Sequence, residues 1–420
     1  MFDRLRFFYN RIGEKLWVKP LAACVLSIVI VLLIKQVDNY EIDRFVLSIN
    51  KDSIETLLTI VASSMLMVAT FAVGSMVSAY SSASSTATPR SFPLVISDDE
   101  SQNALSTFIG TFIFSIIALM ALKNGYYGKS ARFAIFVLTL IVLGLVIVTF
   151  VRWVDSIARL GRLGGIINKV EVATDAALQR RRSAPTLGGV PVGQFNPGWQ
   201  AVYGDSIGYV QRIDIAALQA TAEKSKLEIT VTALPGTFAA PGRVLAYVTT
   251  ESGNLSEKDT DKIAKTFLIH GNRSFDEDPR FGLIVLSEIA LRALSPAVND
   301  PGTAIDVIGT FVRLFTGWSK TVEDDDRQDF KYDRVAVPEI SLADMFNDAF
   351  NGIARDGASA IEVVVCLQEA FQSLASIKDP IIRDVATSHA RLALARAERA
   401  LDLPEDLDIV RKAARLVGTF

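Results

Sequence analysis

Four long apolar stretches, each free of charge through its middle, fill the chain up to Arg152. They run from about 17 to 34, 56 to 80, 104 to 122 and 133 to 151. The last two hold about 19 residues each, and at roughly 1.5 Å per residue that length covers a hydrocarbon core about 30 Å thick. Lipid offers no partner for a free backbone group, so each stretch must be helical. The first stretch reads as a span rather than a signal peptide, because it lacks a small-residue cleavage site and three more spans follow.

The second stretch differs from the others. From Thr56 to Pro89 the chain runs 34 residues without a charged side chain. Its first half is apolar (TLLTIVASSMLMVATFAVGSMV) and its second is dense in hydroxyls (SAYSSASSTATP). As one helix it measures about 50 Å, so one end crosses the membrane and the other projects from it.

On that helix Ser64, Phe71, Ser75, Ser78, Ser82 and Ser85 recur at three- and four-residue steps and share one face. Thr107, Thr111 and Ser115 form a second stripe on the third span. Two readings fit. Small hydroxyl residues let membrane helices pack closely, or they line a water-filled path for hydrated ions or small polar solutes. No acidic or basic residue lies inside spans two to four. Proton relays and coupled pumps use such groups, so a passive pore fits better than an active transporter.

Basic residues orient the spans. Arg4, Arg6, Arg11, Lys15 and Lys19 precede the first; Arg152, Arg159, Arg162 and Lys169 follow the fourth. Lys123, Lys129 and Arg132 in the loop between spans three and four weakly oppose them. The balance places both termini in the cytoplasm. Residues 1–16 form an interfacial amphipathic helix or a basic flank that only fixes topology. After the serine-rich stretch, Pro89 and Pro93 end the helix, and Ser97 with Glu100 has the spacing of a capping box for the next one.

Residues 153–198 read as a helix weakened by Gly161, Gly164 and Gly165, then a linker. Arg180, Arg181 and Arg182 read as a solvated face, with contact to anionic lipid as the alternative. Across 199–253 the period changes to alternation: a strand at Gly208–Val210, a helix capped by Asp214, a strand at Leu227–Leu234, then the double turn Pro235–Gly242. This order resembles a barrel-sandwich hybrid, but the lysine that biotinyl-type domains modify is missing from the turn. A small β module for contacts is expected, not a cofactor carrier. Residues 254–420 read as mainly helical, with one helix from Ser256 to Ile269 and others starting at Asp278-Pro279 and Asp300-Pro301. The fold class is thus a four-helix transmembrane domain with a cytoplasmic α+β region and a helical C-terminal part.

Composition narrows the function. Net charge is −3, which gives nucleic acid no attraction. Two cysteines, Cys24 and Cys366, supply neither a disulfide framework nor a metal cluster. His270 and His389 stand in no triad context, and no phosphate loop or dinucleotide turn is present, so neither an enzyme nor a bound cofactor is expected.

Several segments together carry a family likeness: YSSASSTATPRSFPLVISDDESQNALSTFIGTFIFS, GYVQRID, PGTFAAPG and RSFDEDPRFGLIVLSEIALRALSPAVNDPGTA. They resemble a bacterial membrane-protein family known as domain of unknown function 2254. The resemblance implies a bacterial inner-membrane protein and supplies no activity. Within the last segment Arg273, Asp278, Asn299 and Asp300 are candidates for a cytoplasmic site, against a turn that joins helices or subunits. The expected function is an oligomeric ion channel or passive pore with a cytoplasmic regulatory region. Its partners would be the lipid bilayer, further copies of the chain and a small ion. The alternative is a membrane-anchored sensor or scaffold without transport.

Overall fold

The computed structural model describes residues 17–39, 49–96, 99–160, 162–193, 199–250, 255–320 and 330–415. The amphipathic segment 1–16 and the Ser97 cap lie outside them. The chain divides into two compact units, 1–166 and 167–420.

The first unit holds α1 (Val18–Ile34), α2 (Lys51–Thr86), the short α3 (Phe92–Ile96), α4 (Asp99–Lys123) and α5 (Lys129–Leu160). All but α3 are long and apolar enough to cross a membrane. At 36 residues, α2 extends roughly 54 Å, and the turn that stops it is built by Thr88, whose hydroxyl accepts from Arg90 N–H. Pro93 ends nothing. It sits in the first turn of α3, where a missing N–H costs no hydrogen bond.

Within this unit α4 packs against α1, α2 and α5. Its core has two layers. Val31, Ile54, Leu58, Phe114 and Ile135 make one; Val61, Met65, Ala72, Phe108 and Trp153 make the other. The α1–α4 seam is narrow: the Ser27 hydroxyl donates to Gly110 O at 3.0 Å, and a Cβ on Gly110 would stand 3.1 Å from that of Ala23. Gly110→Leu therefore wedges the two helices apart. Overpacking of this kind costs about 1–3 kcal/mol, so the unfolding midpoint in detergent should fall by several degrees. Gly144→Leu, where an added Cβ meets nothing within 4 Å, should leave the midpoint unchanged. At one end of the bundle the Asp38 carboxylate caps α5, accepting from Gly128 N at 2.7 Å and Ala131 N at 2.9 Å.

The second unit begins within α6 (Leu163–Ser183) and continues through a mixed α/β region. Its strands are β1 (Gly189–Val190), β2 (Gln200–Tyr203), β3 (Gly208–Ile213), β4 (Leu227–Val231), β5 (Phe238–Ala239), β6 (Val244–Thr250), β7 (Phe267–His270) and β8 (Tyr332–Ala336). One sheet runs β1-β8-β4-β6-β2 and the other β5-β3-β7. Helix α7 (Ile215–Ser225), capped by Asp214, shares one core with both, built on Val210, Leu218, Ile229 and Val248.

Strand β7 corrects a sequence expectation. The helix capped by Ser256, α8, stops at Ala264, and Phe267–His270 pairs antiparallel with β3 instead of continuing it. Likewise β8, from the region read as helical, lies parallel to β1 and β4.

The rest is helical: α9 (Pro279–Ala293), α10 (Pro301–Trp318), α11 (Leu342–Asp356), α12 (Ile361–Ala375), α13 (Pro380–Ala400) and α14 (Pro404–Arg415). Asp-Pro pairs open α9, α10 and α13, each Asp accepting from a first-turn N–H. Ten of the fifteen residues of α9 are buried, making it the central helix. Phe311, Phe315, Phe346, Phe350 and Phe371 stack beside it, with His389 against the last cluster members.

Candidate functional site

The buried side of α2 repeats as Ile54, Leu58, Val61, Met65, Ala69, Ala72, Met76 and Ala83. That three-four rhythm holds α2 against α4 and α5 and sends the hydroxyl stripe the other way. Ser64, Ser78 and Ser82 are exposed and Ser75 is half-buried. Ser85 lies on the same helix, but its side chain is outside the described set. The serines of the stripe therefore lie beside the face that packs the chain's own bundle, with Ser75 at its edge. Met67 and Phe71, 75% and 64% exposed, break it midway. Phe71 stands edge-on to Trp153, ring centres 6.2 Å apart.

The stripe on α4 goes elsewhere. Thr111 and Ser115 are buried inside the bundle, and Thr107, half-buried, returns its hydroxyl to Asn103 O at 2.9 Å. The two stripes do not meet on one surface of the chain. Sequence periodicity finds both but cannot tell which turns inward, because small residues suit either side.

The cytoplasmic candidates also separate. Arg273 and Asp278 form a bidentate pair, Nε–Oδ2 2.7 Å and Nη2–Oδ1 3.0 Å. Asp278 is 2% and Arg273 16% exposed. The same carboxylate caps α9 by accepting from Phe281 N at 3.2 Å, and the Arg273 guanidinium lies 5.4 Å from the Phe281 ring centre. Burial pushes the Asp278 carboxyl above its ordinary range, opposed by Arg273 and the Phe281 amide. The turn PGTFAAPG closes over this pair. Gly236 has φ +94°, and a Cβ there would strike the Asp278 carboxylate and come 2.7 Å from Arg273 Nη2. Two segments of the family likeness thus make one contact.

Asn299 and Asp300 lie at the far end of α9, whose fifteen residues span roughly 22 Å. Asn299 is exposed with φ +49°, a left-handed position that asparagine tolerates. Asp300 caps α10, accepting from Thr303 N at 3.1 Å and Thr303 Oγ1 at 2.6 Å. Those bonds hold its carboxyl below the usual range. This end is a helix-joining turn. The four candidates are the two ends of one helix and make no common site.

The arginine triplet of α6 corrects another expectation. Only Arg180 keeps an exposed side chain; Arg181 is buried and Arg182 half-buried. Arg180 donates to Asp276 O, Arg181 is buried, and Arg182 donates to Gly317 O and to Lys320 O. They dock α6 onto α10 and the loop ahead of α9. Nearby, Thr174 of α6 sits so close to Gly282 that no Cβ fits there.

Four apolar helices of membrane-crossing length, joined to a mixed α/β region and a helical C-terminal part, define a multi-span membrane protein. The model of the family of predicted membrane proteins designated DUF2254 matches residues 13–373, and the chain belongs to that family. It is similar to an uncharacterized protein of Mycobacterium bovis, 27% identical over 213 residues that make up 49% of this chain and 41% of that one. An uncharacterized protein of Mycobacterium tuberculosis matches to the same extent. The match thus spans about two fifths of the length of these relatives. No solved structure matches the chain.

Proposed function

We propose that this chain is the subunit of a homo-oligomeric passive pore in the bacterial inner membrane. In this reading α2 stands nearest the symmetry axis, both termini are cytoplasmic, and the second unit regulates the passage. The observation that carries it is the outward turn of Ser64, Ser78 and Ser82, away from the face α2 uses to pack on its own bundle. An exposed hydroxyl row on a 36-residue helix can face water or another polar surface, and copies around an axis would supply either.

Hydroxyls without charge favour small hydrated ions with weak charge selection. Phe71 and Met67, projecting between Ser64 and Ser78, would form an apolar constriction, which gates by excluding water. The β module, whose barrel-sandwich likeness rests on its strand and turn order, would make contacts and carry no cofactor. We assign no catalysis: His389 is stacked on Phe346 and Phe371, with burial holding its pKa down.

A sensor or scaffold without transport is favoured by one feature of the same face. Gly74, Ser78 and Ser82 follow small-residue spacing, and a Cβ on Gly74 would meet nothing within 4 Å. Another helix could close on them without leaving a lumen. Planar-bilayer recording of purified protein separates the two. The pore reading expects discrete current steps in several salts; silence above the empty control leaves the scaffold.

A further inference from the structure

Arg181 is 3% exposed, and neither Nη1 nor Nη2 has a hydrogen-bond partner among the described residues. Taking a guanidinium out of water without pairing it is among the costliest things a fold can do. Its neighbours do not repair it. Both Asp278 oxygens are engaged by Arg273, one of them also by the Phe281 amide. Arg180 is turned to the Asp276 carbonyl. Glu277, half-buried, feels Arg212, Arg181 and Arg180, yet joins none of them in an ion pair. Among the described residues, a buried guanidinium fork and a carboxylate thus feel each other's charge with no hydrogen bond between them.

The group that completes this arrangement must offer acceptors to Arg181 and a proton to Glu277. A planar guanidinium pairs two oxygens of a phosphate or carboxylate at once. A phosphate that keeps one proton can also donate to a carboxylate. We propose that Arg181 and Glu277 form a binding site for a small phosphate-class oxyanion, between the last turn of α6 and the loop 273–278. The bare oxygens accept from Arg181 and the P–OH donates to Glu277, with Arg180 adding positive charge at the rim. Occupancy would lock the end of α6 to the head of α9, the central helix of this unit. The site is independent of the pore reading, because its readout is binding and not current.

The test is thermal unfolding of the purified full chain with inorganic phosphate titrated at constant ionic strength. The wild type should show a saturable rise of several degrees, as for any ligand that binds only the native state. Arg181→Met keeps the stem and removes the charge, so it should unfold no earlier than the wild type without phosphate and should not respond to it. Glu277→Gln should fold and need at least about tenfold more phosphate, the equivalent of one lost hydrogen bond to a charged group. Should Arg181→Met fail to fold, that weaker response of Glu277→Gln decides alone. Repeating the titration in phosphatidylglycerol discs identifies the source. A wild-type midpoint already raised and insensitive to phosphate, with Arg181→Met unraised, assigns the site to a lipid headgroup; an unchanged titration assigns it to free phosphate. No response in the wild type, or the same response in the variants, overturns the proposal.

Discussion

Phe71→Ala should raise the basal conductance of the reconstituted protein by about tenfold, equivalent to removing a barrier of roughly 1.4 kcal/mol. Phe71 is 64% exposed on the hydroxyl face of α2, between Ser64 and Ser75. In the proposed pore a ring of such side chains near the axis would be the narrowest and least wettable point, and removing the phenyl groups would let water through. The ring also touches Trp153 at its edge, but the Trp153 pocket is filled by Phe108 and Phe150 as well, so the variant should still fold. Single-channel recording reads the result. An unchanged or lower conductance contradicts the placement of Phe71 at a constriction.

Asp278→Ala should destabilise the second unit by about 3–5 kcal/mol, the usual cost of breaking a buried ion pair from one side. It strands the Arg273 guanidinium, uncaps α9 and empties the cradle under Gly236. For a unit of this size that is a fall on the order of 10 °C in the unfolding midpoint. Arg411→Ala removes an exposed pair with Glu398 and should cost less than about 1 kcal/mol. Thermal unfolding of both variants checks the contrast, and equal effects would mean that the Arg273–Asp278 pair is not the anchor of this region.

Much of the architecture was readable from the chain. Four apolar runs gave four long helices because lipid length and helix rise leave little freedom. Helix starts at Asp214, Ser256, Asp278 and Asp300 followed from short acceptors before apolar periodicity, and each accepts from a first-turn N–H. What escaped depends on distant partners. Phe-Leu-Ile-His is as apolar as a helix end, and only pairing with β3 makes it a strand. Three consecutive arginines look alike in the chain; Arg180 stays exposed while donating to Asp276 O, 96 residues on, whereas Arg181 is buried and Arg182 reaches Lys320 O, 138 residues on. The grouping of Arg273 with Asn299 failed because a buried helix keeps its ends apart. The serine stripe was legible as a face; its outward direction was not, because that depends on which side of α2 meets α4.

That direction decides whether water can follow α2. In a Cys24→Ala, Cys366→Ala background, Ser78→Cys is reconstituted and a charged, membrane-impermeant thiol reagent is applied during bilayer recording. The account predicts discrete currents before the reagent and a rapid loss of more than about half of them after it, as charge enters the passage. Currents that never appear, or that persist while Cys introduced at 64, 78 and 82 all stay unmodified, would contradict a water-filled path along α2.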